Sequence, residues 1–256
     1  MNKVDKLLDL MKAIIFSKFK QRVFKGERYD IKYVLERNKN SKDLIIVFTS
    51  CTKVGQKARY NYVRTLDKYK CNKLFILDDF GFDKRGAYYL GENGNFGIEK
   101  DVELLIDKTI CNLNTNKNIF IGSSKGGYAA LYFGIKQNES IIITGAPQYN
   151  LGNYLNLPGH KDILKYIMGK IDLDSIDYLN NLMKKSINKY LENSNKIYIH
   201  YSIKEETYES DIKDLISLLD NKEIEVHKDI KEYKYHSELT RFFPQYIKNI
   251  LDEVIM

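Results

Sequence analysis

The run Asn118-Ile119-Phe120-Ile121-Gly122-Ser123-Ser124-Lys125-Gly126-Gly127-Tyr128-Ala129-Ala130-Leu131-Tyr132 leaves this chain few ways to fold. β-Branched and aromatic residues lead to Gly122 as in a strand buried on both faces. Small residues then crowd a turn, and Tyr128, Leu131 and Tyr132 follow at helical spacing. Gly122-Ser123-Ser124-Lys125-Gly126 fits G-x-S-x-G, a sharp strand-to-helix turn that lifts the central serine above a sheet in a strained conformation. Gly122 and Gly126 supply room where the chain passes close to itself. Five-residue matches to this pattern arise by chance; what gives this one meaning is the strand before it and the helix after it. Ser124 is therefore the candidate nucleophile, and the rest of the chain has to supply its partners.

The 256 residues suffice for one substantial α/β core, and a single domain is expected over 1–256. Hydrophobic residues at 43% beside charged residues at 29% describe a folded globular chain and not a disordered one. The net charge of +7 comes from 41 basic and 34 acidic residues that are interspersed, with no dense basic block. That distribution describes a solvated lysine surface and gives no support to nucleic-acid binding. Cys51, Cys71 and Cys111 are widely spaced with no CxxC pair, which fits a reducing compartment and no zinc site. Ala13-Ile14-Ile15-Phe16 is too short for a signal segment or a membrane span. A cytoplasmic protein with no metal or cofactor is expected.

Along the chain, Val4, Leu7, Leu8, Leu10, Met11, Ile14 and Ile15 predict an amphipathic helix packed on the domain, within a helical extension over 1–25. Arg28 to Leu35 alternates like an edge strand. Leu44 to Phe48 and Lys73 to Leu77 read as buried strands, with a helix from Lys57 to Tyr69 between them. Residues 81–97 form a long glycine- and aromatic-rich loop, a kind of connection that is often functional. A helix at 98–110, the serine turn with its helix, and a strand at 141–144 continue the alternation, which implies a parallel sheet with helices on both faces. Residues 148–190 break it with short helical pieces at 162–168 and 175–190, an insertion over the sheet edge placed like a lid. A strand at 196–201, a helix at 208–219, a strand at 223–230 and a closing helix at 238–255 complete the chain.

A serine hydroxyl needs a histidine base, and that base needs a carboxylate to fix its tautomer. On this kind of turn the chain order is serine, acid, histidine. Of the four histidines, His160 lies in the insertion and His200 and His227 lie within strands. His236 falls in the loop between the last strand and the closing helix, where the base belongs. The acid should follow the strand at 196–201 by a few residues, which selects Glu205 first, Glu206 as its alternative and Asp211 as a distant third. Two N–H donors are required for the oxyanion. They are expected from the Lys125 amide, at the helix N-terminus, and from the Cys51 amide, with Ser50 the alternative. A Cys51 thiolate nucleophile is a weaker rival, since no histidine follows it in a matching order.

The order strand, oxyanion loop, Gly122-Ser123-Ser124-Lys125-Gly126, insertion, Glu205 and His236 resembles the α/β-hydrolase superfamily across roughly residues 30–256. More narrowly, residues 122–131 and His236-Ser237-Glu238-Leu239 resemble hydrolase-like domains found with bacterial surface-glycan machinery. These include accessory-secretion proteins that O-acetylate glycans on exported adhesins, and some capsule-synthesis proteins. The resemblance implies a serine esterase or acyltransferase acting on a small acyl ester, with glutamate as the acid. It also admits a catalytically silent partner subunit of glycan synthesis or export. Ser123 departs from the superfamily, which often has a bulky residue or histidine there, so acyl-chain specificity does not carry over.

For a polar substrate such as a sugar, Arg85, Tyr88 and Tyr89 of the 81–97 loop offer a cation and aromatic faces near the carboxyl ends of the strands. Arg59, Tyr60 and Tyr62 make a weaker case, and Tyr149, Tyr154 and His160 lie on the lid-like insertion. Asp79-Phe80-Gly81 matches a kinase triplet without the accompanying kinase motifs. The glycines at 91, 94 and 97 lack nucleotide-loop spacing.

Overall fold

A computed structural model describes residues 14–255 together with Leu7, Leu8 and Met11. Eight strands form one sheet: β1 (Arg22–Lys25), β2 (Asp30–Glu36), β3 (Asp43–Phe48), β4 (Asn72–Leu77), β5 (Lys117–Ser123), β6 (Ile141–Gly145), β7 (Lys196–Ser202) and β8 (Glu225–Lys231). Their order is β1-β2-β4-β3-β5-β6-β7-β8. Pairing is parallel from β4 through β8, while β1 and β2 add antiparallel at one edge. The continuous apolar runs of β3, β4, β5 and β6 are buried at almost every position, as strands covered on both faces require.

The helices are α1 (Gly97–Leu113), α2 (Lys125–Gly134), α3 (Leu151–Leu155), α4 (Lys161–Met168), α5 (Leu173–Tyr190), α6 (Lys213–Asp220) and α7 (Leu239–Val254). Two close approaches fix which face two of them cover. The Cβ position of Gly134 on α2 meets the Ile142 side chain, and that of Gly145 on β6 meets the Phe243 ring on α7. Ile142 and Gly145 are an odd number of residues apart and so point to opposite faces. α2 and α7 therefore cover opposite faces of the sheet. No helix among the described residues is long and apolar enough to cross a membrane.

The structure corrects five expectations. Residues 22–25, expected within a helical extension, are strand β1, and the expected edge strand is β2, second from the edge. In the helical turns just before β1 only Phe16 is buried among the described residues, edge-on to Tyr60 and Phe75, whereas Ile14, Ile15 and Phe19 are exposed. Val4 and Leu10 lie outside the described residues.

Residues 57–69 form turns and not a helix. The Ala58 amide bonds to Lys84 O, Tyr62 adopts φ 60°, and local bonds such as Asp67 N to Arg64 O replace a regular helical ladder. Propensity is overridden because Tyr60, Val63, Leu66 and Tyr69 all turn inward, more than one helix face could bury. Finally, the insertion joins β6 to β7, which are both interior strands. It therefore stands over the middle of the sheet, with α5 against α2, and not over an edge.

Candidate active site

β5 ends at Ser123 and α2 begins at Lys125, so Ser124 alone makes the turn, at φ 54° and ψ −124°. Residues with a Cβ rarely adopt this conformation, and it persists only where neighbours enforce it. The Ser124 amide donates to Gly145 O at 2.8 Å, and its carbonyl accepts from Tyr128 N at 2.9 Å. A Cβ on Gly122 would stand 2.0 Å from Gly126 O, and one on Gly126 would stand 2.7 Å from Phe48 O. Both glycines are steric necessities. Ser123 ties the turn to the loop after β3: its hydroxyl lies 2.5 Å from Tyr62 OH and 3.0 Å from Ser50 Oγ, which also donates to Ser123 O at 2.9 Å. A bulky residue at 123 would displace that loop.

Glu205 and His236 meet across the carboxyl ends of β7 and β8. His236 Nδ1 lies 2.5 Å from Glu205 Oε1, which also accepts from Thr207 Oγ1 at 3.0 Å. The Glu205 side chain is fully buried, whereas Glu206 is exposed. The structure thus brings Glu205, and not Glu206, to the histidine. Asp211 accepts the Tyr149 and Asn150 amides at 2.5 and 2.6 Å, and burial raises its carboxyl pKa to about 6. Its role is to hold the start of the insertion. His200 is buried among aromatic rings with Nδ1 2.6 Å from Asp229 Oδ2, and His227 pairs with Glu225 on exposed β8.

Ser124 and His236 line one cavity of about 1010 Å³, together with Cys51, Tyr62, Arg85, Tyr154 and His160 among others. The Ser124 hydroxyl accepts a long bond from Gln148 Nε2 at 3.4 Å, while His236 Nε2 has no hydrogen-bond partner among the described residues. The serine–histidine bond is therefore open here; such bonds often tighten only around a substrate. His160 on the insertion faces the same space, and burial, then the Arg85 and His236 charges, lower its pKa.

Of the two oxyanion donors weighed after β3, the Ser50 amide is engaged by Asn61 Oδ1 at 2.8 Å. The Cys51 amide has no acceptor among the described residues. Burial pushes the Cys51 thiol pKa up, which disfavours its thiolate. The Lys125 amide opens α2, where the first N–H groups have no partner within the helix. The Lys125 side chain, which no sequence pattern singled out, is fully buried with Nζ 2.8 Å from Asp78 Oδ2.

The three substrate candidates of the 81–97 loop divide. Arg85 lines the cavity; Tyr88 and Tyr89 do not, and are buried behind it. Tyr89 OH donates to Ile76 O and accepts from Thr49 N, and Tyr88 OH donates to Gln148 Oε1 at 3.2 Å. Both tyrosines have positive φ (56° and 58°), and their rings are fully buried in the core. Arg59, Tyr60, Tyr62, Tyr154 and His160 line the cavity, while Tyr149 stands apart. Sequence reasoning missed Asn61, Gln148 and Asp78, whose partners are distant in the chain and leave no local signal. Among the described residues no cluster of His, Cys, Asp and Glu could hold a metal ion.

A sequence profile of the accessory Sec system GspB-transporter family matches residues 66–255. The chain belongs to this family. The matched span runs from just before β4 to the end of α7, so it contains Ser124, Glu205 and His236. An accessory Sec system protein of Staphylococcus aureus (strain NCTC 8325 / PS 47) is 32% identical over 85 residues, 32% of this chain and only 16% of that protein's length. Among solved structures, the capsule O-acetyltransferase of Neisseria meningitidis serogroup A superposes with a TM-score of 0.74 at 24% identity, over 90% of this chain and 94% of that one. A chain of the glycosylation-associated Gap123 complex from Streptococcus agalactiae gives 0.72 at 20% identity, over 91% of this chain but 46% of that one. A fluorophosphonate-binding serine hydrolase of S. aureus, substrate bound, gives 0.63 at 13% identity, over 92% and 97%. These likenesses establish the α/β-hydrolase fold for this family member.

Proposed function

We propose that this accessory Sec family member is a serine acyl-transfer enzyme that cleaves a small acyl ester, of a carbohydrate, through an acyl-enzyme. Ser124 Oγ attacks the ester carbonyl carbon as His236 Nε2 takes its proton, and Glu205 holds the Nδ1 proton and balances the imidazolium. The amides of Lys125 and Cys51 donate to the oxyanion. Collapse breaks the bond to the alcohol oxygen, which leaves with the proton from His236. Water or a sugar hydroxyl, deprotonated by His236, then attacks the acyl-serine and frees Ser124.

The observation that carries this reading is Ser124 held at φ 54° on the turn, lining the same cavity as a histidine already paired to a buried carboxylate. Transfer to a glycan hydroxyl is supported by the likeness to the capsule O-acetyltransferase, one variant of which was solved in complex with CoA. The likeness to a chain of the Gap123 complex, with the open serine–histidine bond, supports a second reading as a catalytically silent partner subunit. Three free cysteines agree with a cytoplasmic setting for either.

Labelling with a serine-directed fluorophosphonate separates the two readings. Wild type should label and Ser124→Ala should not; equal labelling of both, or none, leaves the silent subunit. Acetyl-ester turnover with and without sugar acceptors then divides transferase from hydrolase, because transfer requires an acceptor-dependent rate.

A further inference from the structure

At about 1010 Å³ the cavity is far larger than a short acyl ester needs, which leaves much of its wall free to contact groups beyond the reacting bond. That wall carries Lys53, Arg59, Arg85 and Arg241 against one carboxylate, Glu238. The carboxylate is already committed: Glu238 accepts from Arg241 Nη1 at 3.2 Å and from the Lys234 and Tyr235 amides, both at 3.2 Å. Arg85 is buried, with Nε on Asp83 and Nη2 on Gly159 O at 2.9 Å. Lys53 and Arg59 are exposed and have no carboxylate partner among the described residues.

We infer that the mouth of this cavity binds a phosphate-bearing group, carried by the acyl donor or by the glycan that meets it. The inference rests on the serine-enzyme reading for the identity of the reacting bond, but not for the binding itself. The cations come from separate segments of the chain. Lys53 and Arg59 follow Cys51 in the chain, and Arg241 stands on α7, just after His236. The chain's remaining charge is dispersed, so a concentration of cations at one concave, low-dielectric surface focuses a positive potential there. Guanidinium forks match phosphate oxygens in pairs; Asp83 and Glu238 engage Arg85 and Arg241, which leaves the charges of Lys53 and Arg59 for a ligand.

Calorimetric titration of the full chain at low salt tests it, using CoA against pantetheine and N-acetylglucosamine 1-phosphate against N-acetylglucosamine. At least one phosphate-bearing ligand should bind about tenfold or more tightly than its uncharged counterpart, weakening as salt rises. The Lys53→Gln/Arg59→Gln variant should lose most of that difference while retaining its melting temperature. Preference for CoA assigns the phosphate to the donor, and preference for the sugar phosphate assigns it to the glycan. Equal binding of charged and uncharged partners, no binding of either phosphate ligand, or an undiminished preference in the Lys53→Gln/Arg59→Gln variant would each overturn the inference. Repeating the titration with Ser124→Ala keeps the two ideas apart. Phosphate binding without fluorophosphonate labelling of wild type overturns only the serine chemistry, and labelling without phosphate binding overturns only this site.

Discussion

Lys125 Nζ lies 2.8 Å from Asp78 Oδ2 with neither side chain exposed to solvent. The ammonium also donates to Arg85 O at 3.1 Å, and the Asp78 carboxylate accepts the Ala87 and Tyr89 amides. Gly86 leaves the space they occupy, since a Cβ there would stand 1.9 Å from Nζ. The residue after the candidate nucleophile thus anchors the loop that delivers Arg85 to the cavity wall.

Removing either partner should strand an uncompensated buried charge. Lys125→Met and Asp78→Asn should each lower stability by about 3–5 kcal/mol, whereas Lys125→Met/Asp78→Leu should recover part of the loss. Urea midpoints of the three variants measure this directly. Single variants with wild-type midpoints would mean that the pair adds nothing to stability.

The two adjacent glutamates should differ sharply in their effect on acyl-ester turnover. Glu205→Gln removes the charge facing His236 Nδ1 and should lower kcat by about 10³-fold or more. Glu206→Gln alters an exposed side chain and should stay within about twofold of wild type. Steady-state rates on an acetyl ester decide it, and a comparable loss in both variants would remove Glu205 from its assigned role.

Gly122→Ala should be among the most damaging single-methyl additions in the chain. Its Cβ would meet backbone, the Gly126 carbonyl at 2.0 Å, and backbone cannot rotate aside. A loss of about 3 kcal/mol or more is expected from overpacking. Gly55→Ala has open space and suffers only from its φ of 82°, at about 1 kcal/mol. Thermal unfolding of both variants compares them.

Asp211 should make stability pH-dependent in the acid range. Its carboxyl pKa is raised from 3.8 to about 6 in the fold, chiefly by burial, so the native state binds more protons than the unfolded chain between those values. Stability therefore falls as pH rises from about 4 to about 6, by on the order of 2–3 kcal/mol, and this contribution is flat above that range. Asp211→Asn keeps an acceptor for the Tyr149 and Asn150 amides and should flatten that limb. Tm measured against pH for both proteins tests it; identical slopes would contradict the shifted carboxyl.

Family membership, the turn at Ser124 and the histidine at 236 were legible from residues close together in the chain. Gly122 and Gly126 declare a close backbone approach because no other residue fits there. The apolar runs at 44–48, 73–77, 119–121 and 141–143 declare buried strands, because length and β-branching leave little else. Ser124, Glu205 and His236 then fall beyond the carboxyl ends of β5, β7 and β8 by topology alone.

Contacts between distant segments were not legible. The turns at 57–69, the inward-facing Tyr88 and Tyr89, and the Lys125–Asp78 pair all depend on what packs against each residue. The choice between Glu205 and Glu206 is of the same kind, since neighbours of identical chemistry differ only in burial and in what they face. Sequence alone determined that a serine would be raised above a parallel sheet, because backbone sterics and strand burial are local. Tertiary structure alone decided which carboxylate and which cations surround it, because desolvation and charge pairing are set by the whole fold.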